Sequence, residues 1–187
     1  MVKSWLKWWC AIALMCSTLS LNGQIYFTRD GEISFHSDAP LEKIESINKS
    51  VSSVINVETG QMEFAVLIKA FQFKKALMQQ HFNENYMESD KYPKATFKGT
   101  FTGFKVSDLD RPDSIPIEIS GMLTIHGKSK EIKAKGTMQA IEGKINGSAS
   151  IDLAVSDFDI QIPAIVREKI AKIVQVKIEV SYQPMES

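Results

Sequence analysis

The stretch 115-IPIEISGMLTIHGKSKEIKAKGTMQA-140 decides the fold of this chain. Ile115, Ile117, Ile119, Gly121, Leu123 and Ile125 recur at every second position, opposed by Pro116, Glu118, Ser120, Met122 and Thr124. After the turn His126-Gly127-Lys128 the same alternation resumes. Ile132, Ala134, Gly136, Met138 and Ala140 stand against Lys133, Lys135, Thr137 and Gln139. A side-chain period of two is that of a strand with one apolar and one wet face, so the stretch reads as an antiparallel hairpin.

The pattern extends in both directions. Upstream, Ala95, Phe97, Gly99, Phe101 and Gly103 alternate with Thr96, Lys98, Thr100 and Thr102. Downstream, Glu142-Gly143-Lys144 turns the chain into Ile145, Gly147, Ala149, Ile151, Leu153 and Val155. A last strand carries Val174, Val176, Ile178, Val180 and Tyr182 on one face. Near the start, strands are expected at 25–28 and 32–37 with Asp30-Gly31 as the turn. A polar connection at 39–48 could hold a helical turn, and a hairpin follows around Glu58-Thr59-Gly60. Only at 73-FKKALMQQHFNENYME-88 does the period become helical, ended by Tyr92-Pro93. Eight or nine strands with one helix predict an all-β, lipocalin-like antiparallel barrel, the helix packed at or over it.

The inward rows mix Phe and Ile with Gly and Ala and carry almost no charge. Small residues inside a barrel of about eight strands can leave room for one ligand. The same glycines can instead only coil the strands around a filled core. Composition leaves the two open.

The first residues, MVKSWLKWWCAIALMCSTLSLNG, have the form of a secretory signal over 1–23, with Lys3 and Lys7 before an apolar run. Both cysteines, Cys10 and Cys16, lie in it. Cleavage would leave 24–187 as one domain without a thiol or disulfide, in a periplasmic or secreted setting. A lipidated Cys16 fits less well, because Met15 stands where a small residue is usual. Residues 24–187 carry 20 basic and 22 acidic side chains, a balance that offers nothing to a nucleic acid.

Chemistry-bearing motifs are sparse. His81, Glu84 and Asn85 share a helical face, yet a histidine with one carboxylate is an incomplete zinc set. That face reads as solvated, with a metal-dependent enzyme using His81 and Glu84 as the weaker alternative. No nucleophile elbow, phosphate loop or dinucleotide fingerprint occurs. Asp157 and Asp159 alternate with Phe158 and Ile160, which reads as a strand end or turn rather than paired catalytic acids. No catalytic residue, metal ligand or fixed cofactor is assigned, and the chain reads as a non-enzyme.

The chain resembles the YceI-like, lipid/polyisoprenoid-binding family. The resemblance rests on Ile33-Ser34-Phe35, on Thr59-Gly60 before Met62-Glu63-Phe64, and on Tyr92-Pro93 with Phe97 four residues after the proline. It rests further on Gly121-Met122-Leu123-Thr124-Ile125-His126-Gly127-Lys128-Ser129-Lys130, on Ser156-Asp157-Phe158-Asp159-Ile160 and on the closing strand. It implies an exported barrel enclosing a long apolar pocket for an amphiphilic lipid, such as a polyisoprenoid or an isoprenoid quinone, as carrier or sensor. The lining expected from the inward rows and the helix is Phe64, Phe73, Leu77, Met78, Phe82, Phe97, Phe101, Ile119, Leu123, Met138, Ile151, Leu153, Phe158, Val176 and Ile178. Transient membrane contact and a dimer are compatible with this reading. A structural or interaction barrel with a filled core is the alternative. The helix and the 39–48 connection depart from the family pattern, so ligand identity does not carry over.

Overall fold

Alternation between apolar and polar residues closes into a barrel. The computed structural model describes residues 24–39, 41–164 and 170–185; the expected signal at 1–23 lies outside them. The strands are β1 (Ile25–Asp38), β2 (Lys43–Asn56), β3 (Gln61–Leu67), β4 (Gln72–Phe73), β5 (Lys94–Thr102), β6 (Ile115–Ile125), β7 (Lys128–Ile141), β8 (Lys144–Ala154) and β9 (Ile173–Pro184). They pair in the order β1-β9-β8-β7-β6-β5-β3-β2-β4, and β1 also pairs β2. Eight antiparallel strands therefore form a closed barrel, with the two-residue β4 added beside β2. Among the described residues closure pairs each of the eight long strands on both sides and leaves only the two-residue β4 at a sheet edge, the usual aggregation hazard of β proteins.

The hairpin over 115–140 holds its expected register, with Ile119 opposite Ala134 and Ile125 opposite Lys128. Elsewhere the structure corrects the reading. Asp30-Gly31 is not a turn: β1 runs through it, with register shifts between Thr28, Gly31 and Ile33 that mark an irregular, bulged stretch. The 39–48 connection is shorter than expected, because β2 begins at Lys43. The helical stretch contracts to α1 (Ala76–His81), continued by one π-helical turn over Phe82–Tyr86, while Phe73 belongs to β4.

The interior divides in two. At one end Ile55, Val57, Met62, Phe97, Phe101, Ile117, Met138, Ile145 and Tyr182 form a filled core. The loop after β5 stoppers it with buried Phe104, and Val106 and Leu109 of the same loop pack against this core. Its 3-10 turn (Val106–Asp108) is fixed by Asp108 Oδ2 accepting from the Lys105 N–H at 2.9 Å. Gln139 Nε2 donates to Pro112 O at 2.6 Å and ties the stopper to β7. At the other end a second cluster, including Val51, Val66, Ile68, Phe71 and Met87, packs with Phe35, Phe73 and Phe82 under α1.

The inward glycines have separate roles. Gly99 and Gly121 face each other across β5 and β6, and the Phe97 ring lies over both. A Cβ on Gly99 would come within 2.3 Å of Ser120 O, so these two admit close packing and open no space. Gly127 answers to another neighbour: at φ +74°, its Cβ would stand 2.6 Å from Tyr92 Cε1. The Tyr92-Pro93 motif and the β6–β7 turn are thus one packing unit.

Candidate functional site

Between the filled core and the helix lies a cavity of about 570 Å³. That is a size typical of small-ligand sites. Along β9 its wall runs from Val174 through Val176, Ile178 and Val180 to Tyr182. With about 3.3 Å per residue and the tilt usual in barrels, the shaft is roughly 20 Å deep. Ala134, opposite Ile119, and Ala149, opposite Ile178, line it where the inward rows become small. Here the small residues do leave space.

The structure brings the expected lining together with one exception. Phe64, Phe73, Leu77, Met78, Phe82, Phe97, Ile119, Leu123, Met138, Ile151, Leu153, Phe158, Val176 and Ile178 all border the cavity. Phe101 does not: it is 3% exposed and packed in the filled core beneath. Leu77 sits at the mouth, 63% exposed, rather than deep in the wall. Sequence reasoning left out of its lining the β1 and β2 residues Ile33, Phe35 and Ile44, and the crossover residues Ile160, Ile162 and Ile170. The Ile33-Ser34-Phe35 alternation was the available signal for the first two.

Four phenylalanines build the roof. Phe82 stacks on Phe35 with centroids 5.7 Å apart, and meets Phe71 and Phe73 at 5.6 and 4.9 Å. Edge and tilted contacts of this kind contribute roughly 0.5–1.5 kcal/mol per pair beyond area burial. They anchor a helix of six residues that is too short to stand alone.

Polar groups gather at the mouth. Lys75 Nζ pairs with Glu42 Oε1 at 2.9 Å, and Ser37 Oγ accepts from the Ala171 N–H at 2.9 Å. His81 is exposed and reaches the cavity border. Glu84 turns aside to accept from Gln80 Nε2 at 3.2 Å. Among the described residues no group of three His, Cys, Asp or Glu side chains is placed to hold a metal ion. Asp157 and Asp159 stand in and just after a 3-10 turn (Val155–Phe158) as salt-bridge partners of Lys130 and Lys128. Because His81 stands at the rim and contributes little wall, His81→Ala is expected to change the affinity of an apolar fluorophore by less than about threefold; a fluorescence titration checks this.

At the floor, Tyr182 is fully buried, and its hydroxyl lies 2.8 Å from Ser53 Oγ. Ser53 Oγ donates onward to Glu63 O at 2.8 Å, so the phenol is the donor of the pair. Burial raises the Tyr182 pKa far above the usual phenol range. A phenol raised in the fold resists ionisation there. Its share of stability is complete below about pH 10 and is lost as pH climbs toward the folded-state value. Alkaline unfolding is therefore expected to begin above about pH 10, and Tyr182→Phe to reduce its steepness; circular dichroism across that range tests it.

Among the described residues no helix is long and apolar enough to cross a membrane. A family model, the YceI-like domain, matches residues 19–182. No curated protein matches the chain significantly. Solved structures share its fold. A polyisoprenoid-binding domain from Saccharophagus degradans, implicated in plant cell wall breakdown, superposes with a TM-score of 0.74 at 12% identity, over 87% of this chain and 99% of its own. BcnA from Burkholderia cenocepacia gives 0.68 at 17%, over 81% and 95%. A YceI protein from Campylobacter jejuni gives 0.60 at 21%, over 75% and 85%.

Proposed function

This chain belongs to the YceI-like family, and from that premise we propose that it is an exported binding protein holding one long-chain amphiphile of isoprenoid type, as carrier or sensor. The observation that carries the reading is the shaft: apolar along its length, stoppered below, with its charged groups confined to the mouth. A hydrocarbon tail fits the wall, and a polar head fits the rim of Lys75, Glu42, Ser37 and His81. The same shape penalises charge at depth, since a charged group gains no partner among Ile119, Ile151, Val176 and Ile178.

Length of tail follows from the energetics. Each methylene withdrawn from water contributes about 0.8 kcal/mol, while association costs about 4–15 kcal/mol. At about 8 kcal/mol a tail of about ten carbons falls within that cost, and at about 16 kcal/mol a tail of about twenty exceeds its whole range. The polyisoprenoid binding described for the Saccharophagus domain supports the same class. Export is supported by the residues 1–23, where Lys3 and Lys7 precede an apolar run that holds both cysteines. No bond chemistry is part of the proposal.

The test is native mass spectrometry of protein expressed with its leader in a bacterial periplasm and purified without detergent. A stoichiometric adduct of several hundred mass units that extracts into organic solvent is the expected result. Failure of purified protein to take up any of a panel of isoprenoid alcohols, quinones and fatty acids would overturn the reading.

A further inference from the structure

We infer that His126 is a proton-operated latch over the cavity. It stands at the tip of the β6–β7 hairpin, its side chain 12% exposed, between the two segments that cover the cavity. Nε2 lies 2.7 Å from Glu88 Oε2, in the tail that follows α1 and the π turn. Nδ1 lies 3.2 Å from Phe158 O, in the crossover from β8 toward β9. The first segment lends Phe82 and Met87 to the cavity wall, the second Phe158 and Ile160.

Both partners accept. A backbone carbonyl has no proton to give, and neither does an ionised carboxylate. No neutral tautomer can serve both, whichever nitrogen keeps its proton, whereas the imidazolium donates to both at once. One proton therefore joins the two covers through the hairpin, and its departure releases one of them. The other groups around the ring are accounted for. Tyr92 packs edge-on at 4.6 Å, and Lys91 Nζ lies 4.8 Å from the centroid of that ring, a cation that Glu88 also attracts. Asp159 is paired with Lys128 at 2.8 Å, and Asp157 with Lys130. Glu88 is thus the carboxylate in direct contact with the imidazole.

The latch acts on the cavity of the proposed function, but its test needs no ligand. Amide exchange, corrected for intrinsic chemistry, is followed at about pH 5.5 and about pH 8, the range in which histidine generally switches. The reporters are Met87 and Ser89 in the helix tail and Ile160 in the crossover; Phe101, bonded to Gly60 O at the stoppered end, is the control. Protection of at least one cover is expected to fall about tenfold at the higher pH, the equivalent of one hydrogen bond to a charged group. The control stays level. Glu88→Gln is the decisive variant, because its amide can donate to a neutral Nε2 while Nδ1–H serves Phe158 O. Both covers should then stay protected at both pH values. His126→Gln should lose the pH response as well, with protection fixed at the lower level. Equal protection of the wild-type covers at both pH values would overturn the latch. So would a pH response that survives unchanged in both variants.

Discussion

Phe101→Ala lowers the free energy of unfolding by about 3–5 kcal/mol, the usual cost of emptying a buried aromatic site. The reason lies in where the barrel is full. Phe101 is 3% exposed, sits opposite Ile119 in the β5–β6 ladder, and belongs to the core that Phe104 closes from below. Its own N–H is bound to Gly60 O at 2.8 Å, which pins the strand at that point. A backbone fixed in this way does not collapse into the vacated volume, so the larger end of the range applies. In a barrel of this size the loss amounts to roughly 10 °C in melting temperature. Urea unfolding followed by circular dichroism measures it directly. An apolar fluorophore should still bind the folded fraction, because Phe101 does not border the cavity. A loss below about 1 kcal/mol would show that the stoppered end is looser than its packing implies.

This result separates two residues that the sequence makes look alike. Phe97 and Phe101 share one inward face of β5, and alternation assigns both to the interior. It cannot say at what depth the interior changes from core to cavity. That depth is set by the loop after β5, whose Phe104, Val106 and Leu109 come from a segment with no periodicity. The β6–β7 hairpin was legible because its inward apolar row alternates with an outward row that is polar but for Pro116 and Met122. The start of β2 was not, for a physical reason. Ser46 and Asn48 point inward and are 4% and 0% exposed, yet polar. Ser46 Oγ donates to Gln72 O at 2.9 Å, and Asn48 Nδ2 to Leu67 O at 2.9 Å. These side chains satisfy carbonyls at the ends of β4 and β3, where the ladder stops. A strand that serves as the neighbour's cap therefore reads as a polar connection. The π turn was hidden in the same way. Five residues of FNENY carry no signal that distinguishes it from α-helix, and the turn starts at Phe82, whose ring contacts Phe35 and Phe73 from segments distant in sequence. The wall of the cavity was largely legible, its mouth much less so, since the mouth is made by short segments held in place by contacts distant in sequence.

Ala134→Phe abolishes ligand binding while leaving the barrel folded. Ala134 lies about midway along β7, opposite Ile119, with Ile132 nearer the mouth and Met138 nearer the floor. Its methyl group borders the shaft where the small side chains of Ala134 and Ala149 make room. A phenyl ring placed there projects into empty space rather than into packed atoms, so the overpacking cost of about 1–3 kcal/mol that such a change carries in a filled core is not incurred. The new ring gains dispersion contacts with Ile119 and Ile151, and stability should stay within about 1 kcal/mol of the wild type. A tail that runs from the mouth to Tyr182 can no longer pass. If about half of a twenty-carbon tail is displaced, the lost burial approaches 8 kcal/mol, enough to remove micromolar binding altogether. The measurement is the native mass spectrum and fluorophore titration of the variant beside its thermal melt. Full binding with unchanged stability would mean that the ligand does not occupy the shaft, and would move the site to the rim of Lys75 and His81. Lost stability together with lost binding would mean that the wall around Ala134 is closed in solution. Binding lost at constant stability places the tail between β7 and the strands that face it.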